Sequence, residues 1–200
     1  MSHTAAISAD EFPAADDLEA FKQAFRRHAA GVAIVTAQTP EGEPVGFTAT
    51  SLASLAAVPP LATFNMARVS TAWPAVENTD FVIIHTLGPR NRALAERMAG
   101  DHALRFDGDH WFPGPHGLPV LKDVTAWMLG RIVERLPVLG NAVIVVQIED
   151  GALGEPDEAL LYHERTYLKP SPLEGPSPLR SRRVQRQPTQ FGPSSDLSSP

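Results

Sequence analysis

Residues Gly46 to Thr71 read GFTATSLASLAAVPPLATFNMARVST, and the reading of this stretch decides the fold. Thr48, Thr50, Ser51 and Ser54 place four hydroxyls within seven positions, interleaved with Ala49 and Ala53, whose short side chains let a ligand approach the backbone N–H groups. A polyanion or a flat polar ring suits such a surface. The same residues also suit a turn-rich connection whose hydroxyls cap local backbone groups. Pro59-Pro60 punctuates the segment, and Leu61 to Met66 follows as a strand that carries Asn65.

Upstream, Val32 to Thr36 is small or β-branched, Thr39 to Pro44 has turn chemistry, and Val45 to Ser51 resumes as a strand, giving a hairpin that feeds the hydroxyl-rich loop. Before it, Asp17 to Gly31 reads as an amphipathic helix with a capping Asp and a terminating Gly; Leu18, Phe21 and Phe25 at helical spacing are expected to pack the core. Downstream, Ser70 is placed to cap a short helix over Ala72 to Glu77, with Pro74 in its first turn. Phe81 to Leu87 is apolar on both faces, as a buried strand requires. Pro89 opens a helix over Arg90 to Ala99 that turns Leu94 and Met98 inward.

Gly100 to Pro119 reads as a loop. Its histidines and aspartates follow no zinc-ligand spacing, so they are assigned to turns rather than to a metal, and Trp111 and Phe112 are expected to pack the loop down or to cover a cofactor. Val124 to Val133, Ala142 to Ile148 and Ala159 to Tyr167 complete the strands. No strand-helix alternation with a G-x-G-x-x-G turn occurs, which disfavours a doubly wound sheet; about six strands with few helices point to an antiparallel barrel.

Two hundred residues, 43% of them hydrophobic, fit one ordinary domain, bounded here as 18–170 between a flexible arm at 1–17 and a Pro/Ser/Arg-rich tail at 171–200 that is expected to be disordered. The absence of cysteine excludes disulfides and thiolate chemistry, so any redox function needs a cofactor. No signal-peptide pattern or membrane-length apolar run is present, and a cytoplasmic protein is expected. A formal charge of −6 argues against nucleic acid, and the basic run from Arg180 to Arg186 reads as a solvated part of the tail.

The spacing from Gly46 through Thr48, Ser51 and Ser54, followed by Pro59-Pro60, a strand and Ser70-Thr71, resembles the flavin reductase-like family. These are FMN-binding split barrels that include the reductase components of two-component flavin monooxygenases. The likeness continues through Phe81 to Leu87, the helix after it, Arg105-Phe106, Gly117 to Leu121, and Leu160 to His163 with Tyr167, covering roughly residues 18 to 170.

The resemblance implies a mainly β fold with flanking helices, an antiparallel Greek-key split β-barrel of the FMN-binding type. It implies an NAD(P)H-dependent flavin reductase that binds FMN or FAD, takes hydride from NADH or NADPH, and supplies a separate monooxygenase. A homodimer with flavin at its interface goes with this reading. Two alternatives stay open: a flavoprotein that keeps its flavin for another substrate, and a non-enzymatic flavin binder.

No acid–base dyad is required, because the cofactors carry the electronics, so no catalytic residue is assigned. The flavin site is assigned to Thr48, Ala49, Thr50, Ser51, Ala53 and Asn65, with Ser54, Ser70, Thr71 and Arg105 for phosphate. Arg68 is either a phosphate contact or solvated. His85 stands where the family commonly has Asn, and is either a cofactor contact or a hydrogen-bonded core histidine. His163 and Tyr167 are read on one face of a last strand near the nicotinamide side. Where the family commonly reads Gly-Asp-His, this chain has Gly140-Asn141-Ala142 and lacks that histidine.

Overall fold

The computed structural model describes residues 17–173. The arm up to residue 16 and the tail from residue 174, with its basic run, lie outside the described residues, and so do the expectations of flexibility made for them.

The chain opens with α1 (Asp17–Arg27), β1 (Ala30–Gly31), β2 (Ala33–Gln38), β3 (Pro44–Ala49), β4 (Ala53–Ala56) and β5 (Leu61–Ala67). Then come α2 (Trp73–Asn78), β6 (Phe81–Thr86), α3 (Arg92–Ala99), β7 (Trp111–Pro113) and β8 (Pro119–Leu121). Two long strands, β9 (Ala126–Val138) and β10 (Asn141–Leu153), precede a closing hairpin of β11 (Leu161–His163) and β12 (Thr166–Leu168).

Seven strands form one antiparallel sheet in the order β3-β2-β6-β9-β10-β5-β4. Alternation along the strands gives the sheet one shared interior. Val35 and Ala37 of β2, Phe64 and Met66 of β5, Val82 and Ile84 of β6, and Ile144 and Val146 of β10 all enter one buried cluster. Helix α2 adds Trp73, Ala75 and Val76 to the same cluster, and β3 approaches β5 across the split. This is the antiparallel split barrel that the sequence implied.

The outer face of β2 and β6 is covered as well. Ile34 packs with Leu87, Ala95, Met98 and Leu121, and Ile83 with Leu118, Val120 and Leu129. That second layer is why β6 is apolar on both faces.

His85 belongs to this layer and is fully buried. Its Nδ1–H donates to the Ile34 carbonyl at 3.2 Å, and its Nε2 accepts from the Leu121 N–H at 3.0 Å. The ring therefore ties β8 to β2 with the tautomer fixed by both partners. Burial pushes its pKa down to about 3, with the Ile34 hydrogen bond partly opposing the shift.

Several local expectations are corrected. Helix α1 ends at Arg27, Gly31 lies in β1 instead of terminating the helix, and Phe21 and Phe25 are 59% and 63% exposed. Sequence periodicity gives a helix an apolar face but does not say what covers it. Ala53–Ala56, read as loop, pairs with β5 as an edge strand. The region Gly100–Pro119 contains two short 3-10 turns and β7, which pairs with β8; His116 (φ 55°) and Gly117 (φ 75°) make the reversal in the left-handed region. Strands β9 and β10 run on to a tight turn at Leu139-Gly140. Ala72, not Ser70, is the N-cap of α2, while the Ser70 hydroxyl accepts the Ala72 N–H at 3.3 Å.

The C-terminal end of α2 is held by Arg135 of β9, which donates to the carbonyls of Val76 and Thr79. Arg135→Met keeps the aliphatic stem and orphans both acceptors. We expect a loss of about 1–3 kcal/mol in urea unfolding at neutral pH; an unchanged midpoint would show that water satisfies both carbonyls equally well.

Candidate active site

At the end of β3 the chain leaves the barrel through Thr50, Ser51 and Leu52 and re-enters as β4. Ser51 fixes this crossing. Its hydroxyl accepts the Asn65 N–H at 2.8 Å and lies 3.3 Å from the Asn65 carbonyl, to which it donates. Asn65 sits between buried Phe64 and Met66 on β5, so the alternation turns its side chain outward.

The opposite wall is the β11–β12 hairpin. His163 Nε2–H donates to the Arg27 carbonyl at 3.1 Å, and the Glu164 N–H donates to the Arg26 carbonyl at 3.1 Å, which stitches the hairpin to the end of α1. Between the walls lies a cleft of about 820 Å³, lined by Thr50 to Ala53, Asn65, Tyr162 to Arg165, and Lys22, Phe25, Arg26 and His28. That volume falls within the range of small-molecule sites.

The donor set of this cleft is suited to a flat anionic ligand. Lys22, Arg26 and Arg165 form no ion pair among the described residues, and Glu164 is the acidic residue of the lining. Among the described residues the N–H groups of Ser51 and Leu52 donate to no backbone carbonyl, and the Thr50 hydroxyl and Asn65 amide make no internal hydrogen bond. Such donors can meet ring carbonyls, a polyol chain and a phosphate.

Behind the cleft, Tyr167 meets Tyr162 edge-on at 5.2 Å, and the Arg92 guanidinium lies 5.8 Å from the Tyr167 ring. Burial raises the Tyr167 phenol above its ordinary pKa, and the nearby Glu96 and Tyr162 add to the effect.

The structure thus brings Thr50, Ser51, Ala53, Asn65 and His163 to one cleft and leaves the other expected residues elsewhere. Thr48 is half-buried on β3, in register with Ile34 and on the same strand face as Thr50. Ala49 points into the barrel core. Ser54 is exposed on β4 opposite Ala62, outside the cleft lining. His85 is in the second layer with both ring nitrogens engaged. His163 and Tyr167 are on separate strands, because Glu164 (φ 48°) and Arg165 (φ 64°) reverse the chain between them.

Thr71 and Arg105 share a smaller pocket with Gly46, His102 and Phe106. Arg105 donates to the Gly46 carbonyl at 2.7 Å and the Gly100 carbonyl at 2.9 Å, and its partial desolvation lowers its pKa. Gly46 and Thr50 are four residues apart on an extended strand, about 13 Å. A Cβ on Gly46 would meet the Phe106 ring at 3.0 Å, so packing is what the glycine serves.

Arg68 lies over the Trp73 ring at 5.5 Å, and Ala142, in the Gly140-Asn141-Ala142 segment, is buried in the barrel. Trp111 packs edge-on against Phe106 at 5.6 Å. Phe112 lines a second cleft of about 820 Å³, together with Trp127, Lys122 and Leu153, which contains none of the expected flavin residues. Among the described residues no three His, Asp or Glu side chains cluster as metal ligands, and no helix is long and apolar enough to cross a membrane.

Tyr162, Lys22, Arg26 and Arg165 are among the lining residues that the sequence did not assign to the site, and Phe25 was assigned to the core instead. Only Tyr162 carried a signal, as part of the Leu160–His163 strand pattern.

Comparison with known proteins agrees with this architecture. The flavin reductase like domain family matches residues 25–171. An NADH:FMN oxidoreductase from Rhodococcus qingshengii is 37% identical over 158 residues, covering 76% of this chain and 82% of that protein. The crystal structure of a flavin reductase domain protein from Arthrobacter sp. FB24 is 51% identical, with a TM-score of 0.77 over 79% of this chain and 98% of that one. Flavin reductase HpaC complexed with NADP+ is 27% identical, with a TM-score of 0.71 over 78% of this chain and 99% of that one. The chain belongs to the flavin reductase-like family.

Proposed function

We propose that this cleft is where the chain holds FMN during its work as an NAD(P)H:flavin oxidoreductase, the activity supported by its relatives. The observation that carries the site is the convergence of Thr50, Asn65, His163 and Arg165, which forms no ion pair among the described residues, on one opening. Bound there, flavin supplies the acceptor for a hydride from the nicotinamide, so the chain needs no acid or base of its own.

The chain's residues bind and orient. The N–H groups of Ser51 and Leu52 and the Asn65 amide meet the polar edge of the ring, where fixed donors support negative charge better than mobile water does. The Thr50 hydroxyl serves the ribityl chain, Arg165 the phosphate, and Tyr162 excludes water from the far wall. Tyr167 acts through Tyr162 as a positioning residue. The Ser51 clamp holds the crossing loop rigid, so the ring-facing donors are in place before binding.

A second copy of the chain closes the site in this reading. Among the described residues the edge strand β4 pairs with β5 alone, and Leu55 on it and Val58 just after it are exposed, an arrangement that a homodimer would cover. Reduced flavin then leaves for a partner monooxygenase, as the family resemblance implies.

Titration with FMN and riboflavin tests the site. Arg165→Gln should weaken FMN roughly tenfold to over a hundredfold and leave riboflavin within about twofold. Asn65→Ala should weaken both ligands, by about three- to tenfold. Equal binding of both flavins by wild type and both variants would overturn the assignment. Anaerobic NADH oxidation with free FMN in excess should run through many turnovers; one turnover per bound flavin would favour a flavoprotein that keeps its cofactor.

A further inference from the structure

We infer that the exposed aromatic face of α1 is a shelf for the adenosine-diphosphate half of a dinucleotide whose other half enters the cleft. The inference rests on the cleft being the flavin site.

Phe21 and Phe25 were expected in the core, yet both are more than half exposed, with their rings 4.7 Å apart. His28 meets Phe25 edge-on at 6.2 Å, extending the aromatic surface toward the cleft. Lys22 and Arg26, one helical turn apart, flank the aromatic pair, and both line the cleft with Phe25. Glu19 is engaged with Gln23 at 2.7 Å, and Lys22 and Arg26 form no ion pair among the described residues.

A flat base stacks on an aromatic pair, and a diphosphate takes two cations side by side. Shelf and cleft are also mechanically continuous, because the carbonyls of Arg26 and Arg27 accept from the hairpin that forms the cleft wall. A diphosphate neutralises Lys22 and Arg26 directly, whereas a second copy of the chain seated on the same face would have to bring acidic side chains to both cations to offset their desolvation. Charge complementarity therefore favours the nucleotide.

The test is calorimetric titration of wild type, Phe25→Ala and the double variant Lys22→Gln/Arg26→Gln with ADP, NAD+, nicotinamide mononucleotide, FAD and FMN, with light scattering on each protein. ADP should bind wild type and compete with a dinucleotide. Either variant should weaken ADP roughly five- to a hundredfold, and should weaken FMN and nicotinamide mononucleotide, which lack the ADP half, by distinctly less. A parallel loss for NAD+ alone assigns the shelf to the nicotinamide dinucleotide; a parallel loss for FAD assigns it to the flavin dinucleotide.

No ADP binding to wild type, or unchanged ADP affinity in both variants, would overturn the inference. So would a shift from dimer to monomer with ligand affinities intact, which would give the shelf to a second copy. FMN binding by wild type separates these outcomes from failure of the flavin site itself, since the inference can fall while FMN still binds.

Discussion

Acidification from pH 6.5 to about pH 4 is expected to remove about 3 kcal/mol of folding stability through His85 alone. Its pKa in the folded chain is about 3, against 6.5 when exposed. Between those values the unfolded chain binds the proton and the folded chain refuses it. The contribution is therefore fully present above pH 6.5 and is lost progressively as the pH falls toward 3. Both ring nitrogens are committed, one donating to Ile34 and one accepting from Leu121, so a proton on Nε2 would place two donors face to face. Urea unfolding at a series of pH values measures the slope. His85→Gln offers an amide to the same partners without titrating; it should be less stable at pH 7 by about 1–3 kcal/mol and show a flatter acid limb. Identical slopes for the two proteins would mean that His85 is not held neutral.

Phe64→Ala should cost about 3–5 kcal/mol, the range for truncating a fully buried aromatic ring. Phe64 is completely buried, lies 6.0 Å from Phe47 across the barrel, and faces Ile144 on the neighbouring strand. The effect should reach the cleft, because Asn65 is the next residue and its backbone holds Ser51. Relaxation of β5 into the cavity would shift that clamp, so FMN affinity should fall together with stability. A loss below about 1 kcal/mol would show that the barrel repacks around the missing ring.

Strand β5 also shows what was legible in the sequence. Leu61 to Met66 read as a strand carrying Asn65 from its composition alone, and the doubly apolar run of β6 announced a strand covered on both faces. The resemblance carried by Gly46 to Thr71 then gave the barrel. What stayed hidden depends on contacts that no local pattern encodes. The reversal at Glu164-Arg165 uses left-handed backbone in two residues that rarely adopt it, so one long strand was read where a hairpin forms. The hydroxyl pattern pointed to a stretch that borders the cleft, but it could not separate Thr50, at the cleft, from Ala49, which points into the core, or place Arg105 with Gly46. The cleft's cations come from α1 and the last hairpin, too far apart in sequence for any spacing rule to join them.

That separation affects the order in which the molecule becomes competent. Residues 22–28 form one lip of the cleft and residues 162–165 the other, while β1 at Ala30–Gly31 pairs with β11 at Leu161–Tyr162. During synthesis the seven-stranded sheet has all its strands once β10 has emerged, yet the cleft still lacks a wall. If the cleft is the flavin site, capture waits until the far segment has folded back on the start of the domain, and an occupied cleft would act as a clasp between two regions that the barrel itself does not join.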